Sequence, residues 1–287
     1  MAINYQRLKN WSFPEVEHSY RAKDTMLYAL GLGYGADPMD RDQLRFVYEE
    51  GLKALPTMAV VLALPGQWSR NPETGITWKL VLHGEQGVVL HRPLPPAGTV
   101  VARTAIEEII DKGAGKGALI YLRRDLHDKE TGALLASLAS TVFARGDGGF
   151  GGPTVSTKPV HALPERAPDL VCDIATLPQA ALIYRLSGDY NPLHADPEIA
   201  AAAGFPRPIL HGLCTFGVAG HALLRTLCFY DPARLKSMRV RFSSPVFPGE
   251  TVRTEIWREE GGRFGFRCRI VERDVVAINN GLAEVAA

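Results

Sequence analysis

The chain has 287 residues, 46% hydrophobic and 22% charged, enough for one large or two medium globular domains with a sizeable core. Thirty-two basic against 31 acidic residues leave a net charge of +1, which gives no support to a nucleic-acid or anionic-membrane partner. Cys172, Cys214, Cys228 and Cys268 form no CxxC pair and no dense framework, so they read as reduced, buried thiols of a cytoplasmic protein.

In chain order, "MAINYQRLKNWSFPEVEHSY" shows no apolar run of the secretory kind. The longest apolar stretch, Met58 to Leu64, is far short of the ~20 residues of a membrane helix. "PLPPAGTV" (Pro93 to Val100) introduces three β-branched, alternating runs, "TVVARTAIEEII", "GALIYLRRDLHD" and "LLASLASTVFAR". A Gly- and Pro-rich segment without hydrophobic period, Gly146 to Asp169, then reads as a linker. After it the organisation repeats: "PVFPGETV" (Pro245 to Val252) precedes "TVRTEIWRE", "RFGFRCRIVER" and "DVVAINNGLAEVA", with Glu259 to Gly262 as a hairpin turn. The halves are predicted as 1–148 and 169–287, joined by 149–168. The chain ends in "EVAA", not in a peroxisomal SKL-type address.

A weaker echo pairs "YALGLGYG" (Tyr28 to Gly35) with "YRLSGDYN" (Tyr184 to Asn191), so that Gly33, Gly35 and Pro38 face Asp189, Asn191 and His194. "LHG" also occurs twice, at Leu82 to Gly84 and at Leu210 to Gly212. The second copy has room for a long helix before Pro245, whereas the first has room only for a turn before Pro93. The sequence therefore predicts a central helix in the second half alone, and an unfilled concave face in the first where a ligand could lie.

Within the second half, "PQAALIYRLSGD" has helical spacing, with Gly188 placed to end the helix and Pro192 to prevent an early restart. Asp196-Pro197 reads as an N-cap and first-turn proline opening a helix that Gly204 closes. Asp189, Asn191 and His194 thus fall on a short bridge between helices. A helix crowded with small and apolar residues begins near Gly212, and its first N–H groups lack intrahelical acceptors. A carboxylate and an imidazole can together activate a water, and a backbone donor can steady a developing enolate; the set points to water addition or removal beside a carbonyl. Taken singly, Asp189 fits turn chemistry and His194 a structural histidine; their order before Gly212 favours chemistry. His211, His221 and Cys214 lack metal-ligand spacing and read as packing. Neither "GLGYGA" at Gly31 nor "GAGKGA" at Gly113 is a dinucleotide or phosphate-loop motif.

"YRLSGDYNPLHADPEIAAAAGFPRPILHGLCTFG", Tyr184 to Gly217, resembles the MaoC-like, (R)-specific enoyl-CoA hydratases, in particular the two-domain hydratase 2 family. The resemblance extends to Leu44–Ala63, Leu82–Gln86, Asp111–Ile120 and Val240–Thr251, and so takes in nearly the whole chain. It implies an α+β double hot-dog fold and reversible syn hydration of medium- to long-chain trans-2-enoyl-CoA to (R)-3-hydroxyacyl-CoA. It also implies no metal and no redox cofactor, and the exposed edges of such a sheet make a homodimer the expectation. Asp189 and His194 would be the catalytic pair, Asn191 would order it, and the Gly212 N–H would bind the thioester oxygen. His83, Gly84, Lys112, Tyr190 and Phe242 would contact the acyl-CoA, and the first half would accommodate the acyl chain. A dehydratase of branched or dicarboxylic acyl-CoA, a non-catalytic acyl-CoA binder and a thioesterase stay open on sequence alone.

Overall fold

The computed structural model describes residues 3–286; Met1, Ala2 and Ala287, the outermost residues of the two expected halves, lie outside it. Ten strands form one antiparallel sheet: β1 (Val16–Tyr20), β2 (Val81–Leu90), β3 (Gly98–Asp111), β4 (Ala118–Asp128), β5 (Leu134–Ala144), β6 (Leu170–Ala175), β7 (Leu235–Phe242), β8 (Thr251–Arg258), β9 (Arg263–Ile270) and β10 (Val275–Val285). Six helices accompany them: α1 (Tyr5–Lys9), α2 (Ala22–Gly31), α3 (Arg41–Leu44), α4 (Ala180–Tyr184), α5 (Pro197–Ala202) and α6 (Gly212–Leu227). The spatial order is β1-β3-β4-β5-β2-β7-β10-β9-β8-β6, which maps onto itself when the two halves are exchanged. This is the double hot-dog arrangement, two five-stranded sheets fused along β2 and β7. The seam runs from Glu85 opposite Arg241 to Val89 opposite Ser237, and Arg241 pairs with Glu85 at 2.7 Å.

Strand faces follow the sequence alternation: on β8, Val252, Thr254 and Ile256 are fully buried. The expected hairpin turn is present, with Gly261 at φ 70° and Gly262 at φ 74°. Helix α6 is buried along most of its 16 residues because the sheet curves around one side and the first half covers the other. Two of its glycines permit that approach. A Cβ at Gly217 would lie 2.5 Å from Leu32 Cδ2, and one at Gly220 would lie 2.5 Å from Thr57 Cγ2.

Three expectations need correction. Gly84 to Pro93 is not a turn standing where a helix was lost; it forms most of strand β2, the partner of β7. The repeated "LHG" therefore does not mark equivalent positions. What stands opposite α6 is a six-residue 3-10 segment, Pro56–Val61, packed against α6, β2 and β5. Nor is the concave face of the first half bare: every residue of that segment is buried, and the Arg124 guanidinium on β4 donates to the Val60 carbonyl (2.7 Å) and the Ala63 carbonyl (3.4 Å). The expected linker has no helix or strand through residues 149–168, yet it is fastened down. The Gly149 and Gly151 amides donate to the Asp111 carboxylate, Ser156 donates to Glu108, and His161 bonds Glu259.

Candidate active site

Helix α4 runs into a 3-10 turn, Arg185–Ser187, and stops at Gly188, whose φ of 115° is a conformation that residues with a Cβ rarely adopt. Pro192 does not merely block a restart. It is the first residue of a second 3-10 turn, Pro192–His194, with Asn191 as its N-cap accepting from the Leu193 amide at 3.2 Å. Asp196 caps α5 through the Glu198 and Ile199 amides, as its position before Pro197 predicts. The bridge is thus short, turned and held at both ends.

His194 is buried, and its Nδ1–H donates to the Ile209 carbonyl at 2.8 Å. That bond fixes the tautomer and leaves Nε2 as the free basic nitrogen. Burial pushes the His194 pKa below the ordinary histidine value, opposed by the Ile209 bond and the Asp189 carboxylate. The ring therefore stays neutral and able to accept a proton at neutral pH. The Asn191 backbone amide N–H donates to Asp189 Oδ1 at 3.1 Å.

His211 has a larger part than packing. It is 1% exposed, its ring stacks on His194 with centroids 3.7 Å apart, and its Nε2–H donates to the Asp189 carbonyl at 3.1 Å. Burial and the neighbouring His194 push its pKa down to about 4, so it remains uncharged. It is also the N-cap residue of α6, yet its side chain makes no capping bond. The Gly212 amide that follows, first in the helix, has no intrahelical acceptor and faces the positive end of the helix dipole. The only sequence sign of this role was the histidine's place beside Gly212; what gives it the role is the fold bringing residue 211 to residues 189 and 194. His221 and Cys214 do behave as packing: His221 stacks on Tyr34 at 3.7 Å and bonds the Leu32 carbonyl, and Cys214 is fully buried.

Both halves supply the opposite wall, Phe242 from the second and His83 and Gly84 from the first. Phe242, at the end of β7, lies against Gly212, where a Cβ would be 3.5 Å from its ring. His83, near the start of β2, meets Phe242 edge-on at 5.1 Å and lies within the field of the Asp189 carboxylate. Gly84 is next to it, its Cβ position 3.3 Å from the Thr141 carbonyl. Tyr190 is 59% exposed with Arg185 over its ring at 5.1 Å. The fold does not bring Lys112 into this group. It is exposed in the β3–β4 turn, at the same end of the sheet as His83 but three strands away, roughly 14 Å at the usual strand spacing.

Asp189, His194 and His211 each offer one ligand-type atom, all within 4.8 Å of one another. The two imidazoles are stacked, however, whereas ligands of one ion must converge in their ring planes. Each ring uses one nitrogen on a carbonyl and keeps the other free. The arrangement suits proton transfer to and from a small polar molecule. A carboxylate, a free imidazole nitrogen and an unfilled helix-start amide converge beside an aromatic wall.

The MaoC like domain model matches residues 159–280, and the MFE-2 hydratase 2 N-terminal domain model matches residues 18–146. The chain belongs to the MaoC-like hydratase 2 family. It is 43% identical over 274 residues to 3-hydroxyacyl-thioester dehydratase Y of Mycobacterium tuberculosis, covering 92% of each chain. It is 40% identical to the peroxisomal enoyl-CoA hydratase 2 of Arabidopsis thaliana, over 95% of this chain and 92% of that one. A crystal structure of a MaoC-like dehydratase from Phytophthora capsici superposes with a TM-score of 0.87 at 39% identity, covering 99% of both chains.

Proposed function

We propose that this protein is a hydro-lyase that adds water reversibly to trans-2-enoyl-CoA, giving (R)-3-hydroxyacyl-CoA. The observation that carries the reading is the Asp189 carboxylate beside the free Nε2 of His194, with the Gly212 amide at the head of α6. In the hydration direction, Asp189 and His194 hold one water. Its oxygen forms a bond to the β-carbon as a proton passes to the pair. The double-bond electrons move toward the thioester carbonyl, whose oxygen accepts from Gly212 N–H. A proton from the pair then reaches the α-carbon on the same face. Dehydration is the reverse. An oxyanion donor of this kind typically contributes ~10²–10³ in rate, and an acid–base group ~10²–10⁴.

The acyl tail belongs on the first-half side in this reading. In this reading a medium- to long-chain tail lies beside the six-residue 3-10 segment, about 12 Å long, that stands opposite the 16-residue α6 of about 24 Å. The half 169–287 then carries the chemistry and 1–148 the tail. The substrate brings its own activating group as the CoA thioester, so the reaction draws on no resident metal or redox cofactor. Among the described residues no helix is long and apolar enough to cross a membrane. We place the reaction in the cytoplasm, a reading that four buried free thiols support. Strands β1 and β6 each have one unpaired edge, which supports a homodimer, testable by light scattering.

The deciding experiment follows enoyl thioester absorbance across a series of chain lengths, with chiral analysis of the product. Asp189→Asn and His194→Gln are each expected to lower kcat by ~10²–10⁴. Wild-type turnover in either variant, or release of free CoA thiol instead of hydration, overturns the assignment.

A further inference from the structure

The exchange symmetry of the sheet has a chemical counterpart. The catalytic corner is built from the start of β2 (His83), the end of β7 (Phe242) and the start of α6 (Gly212). Exchanging the halves sends these to the start of β7, the end of β2 and the start of the 3-10 segment. Leu235 and Lys236, Leu90 and Pro56 hold those places, and all four line a cavity of about 350 Å³. It lies at the far end of the seam; β2 is ten residues long, so the two positions are about 30 Å apart.

No counterpart of Asp189 and His194 reaches this cavity, whose remaining walls come from the chain around Leu52, Leu94 and Pro232. What it offers is binding. Its floor is apolar, with Ala54, Pro56, Leu94 and Leu235 buried in the protein. Three cations, Lys53, Arg92 and Lys236, border it, and none takes part in an ion pair among the described residues. Asp231 is the one acid in the lining, and its carboxylate already accepts from the Ala233 amide at 3.1 Å. The rim is preformed: the Pro95 and Pro96 carbonyls accept from Tyr20 Oη (2.8 Å) and Thr25 Oγ1 (2.7 Å), and the His91 and Arg92 amides donate to the Leu135 carbonyl.

We propose that this cavity is a second ligand site, distinct from the catalytic corner, that takes an anionic amphiphile. The acyl chain lies on the leucines and prolines, and the head group pairs with Arg92, Lys236 and Lys53. The test is calorimetric titration of the full chain with dodecanoate and dodecyl phosphate, with neutral dodecanol as control. One molecule of dodecanoate or dodecyl phosphate is expected to bind per chain, the tighter of the two naming the head group. The R92E/K236E variant is expected to weaken binding at least about tenfold while hydrating crotonyl-CoA at the wild-type rate. In D189N, saturating crotonyl-CoA should leave dodecanoate binding unchanged. Four results overturn the proposal: no binding, equal binding of dodecanol, undiminished binding in R92E/K236E, or displacement by crotonyl-CoA.

Discussion

Replacing His211 with phenylalanine separates its two contacts. The aromatic disc that faces His194 at 3.7 Å stays, while the Nε2–H donor to the Asp189 carbonyl at 3.1 Å is lost. The bond is worth ~0.5–1.5 kcal/mol net. The same change removes His211 Nδ1, a buried acceptor with no partner, whose desolvation costs ~1–3 kcal/mol. The two terms oppose each other, so global stability should shift by only about 1 kcal/mol in either direction. Catalysis has no such compensation. The carbonyl that ties the catalytic loop to the head of α6 is released, and a misplacement of about 1 Å can cost ~10² in rate. We expect kcat for crotonyl-CoA hydration to fall ten- to a hundredfold, in the order of that estimate, with KM within about twofold. The acid limb of the kcat/KM profile should keep its midpoint, because His194 remains the titrating base. Steady-state kinetics over pH 5–8, with urea unfolding of the same preparations, measures each part. Wild-type kcat, or a loss that tracks reduced stability, refutes a positioning role for His211.

Two further outcomes follow from the core. His211 and His221 are held neutral with pKa values of about 4, against 6.5 in the unfolded chain. The unfolded state therefore binds more protons between these values. Their contribution is complete above pH 6.5 and is lost as pH falls toward 4, on the order of 3 kcal/mol for each. Urea midpoints that stay level between pH 7 and pH 5 would contradict this, and His221→Gln should flatten the slope. Gly217→Ala should destabilise the fold by ~1–3 kcal/mol, since its methyl would meet Leu32 at 2.5 Å inside a packed interface; an unchanged thermal midpoint would show that α6 is not clamped as described.

Local sequence determined much of this protein. Alternation set the strands, Gly188 and Asp196-Pro197 set the ends of the catalytic bridge, and the small, apolar run after Gly212 marked the buried helix. The order Asp189, Asn191, His194 and then Gly212 was enough to single out a carboxylate, an imidazole and a helix-start amide as candidates for one site. These features are legible because each depends on neighbours within a few residues. The "LHG" echo failed for the opposite reason: only strand pairing shows that Leu82–Gly84 belongs to β2 and that Pro56–Val61 is the true counterpart of α6. That Lys112 stands three strands from His83 is likewise a fact of the sheet order, which no local pattern gives. The stack of His211 on His194, the edge of His83 against Phe242 and the second cavity at the far end of the seam are long-range juxtapositions. Sequence sets which backbone each residue can adopt, but which distant side chains share a volume is decided by the sheet that closes the two halves together.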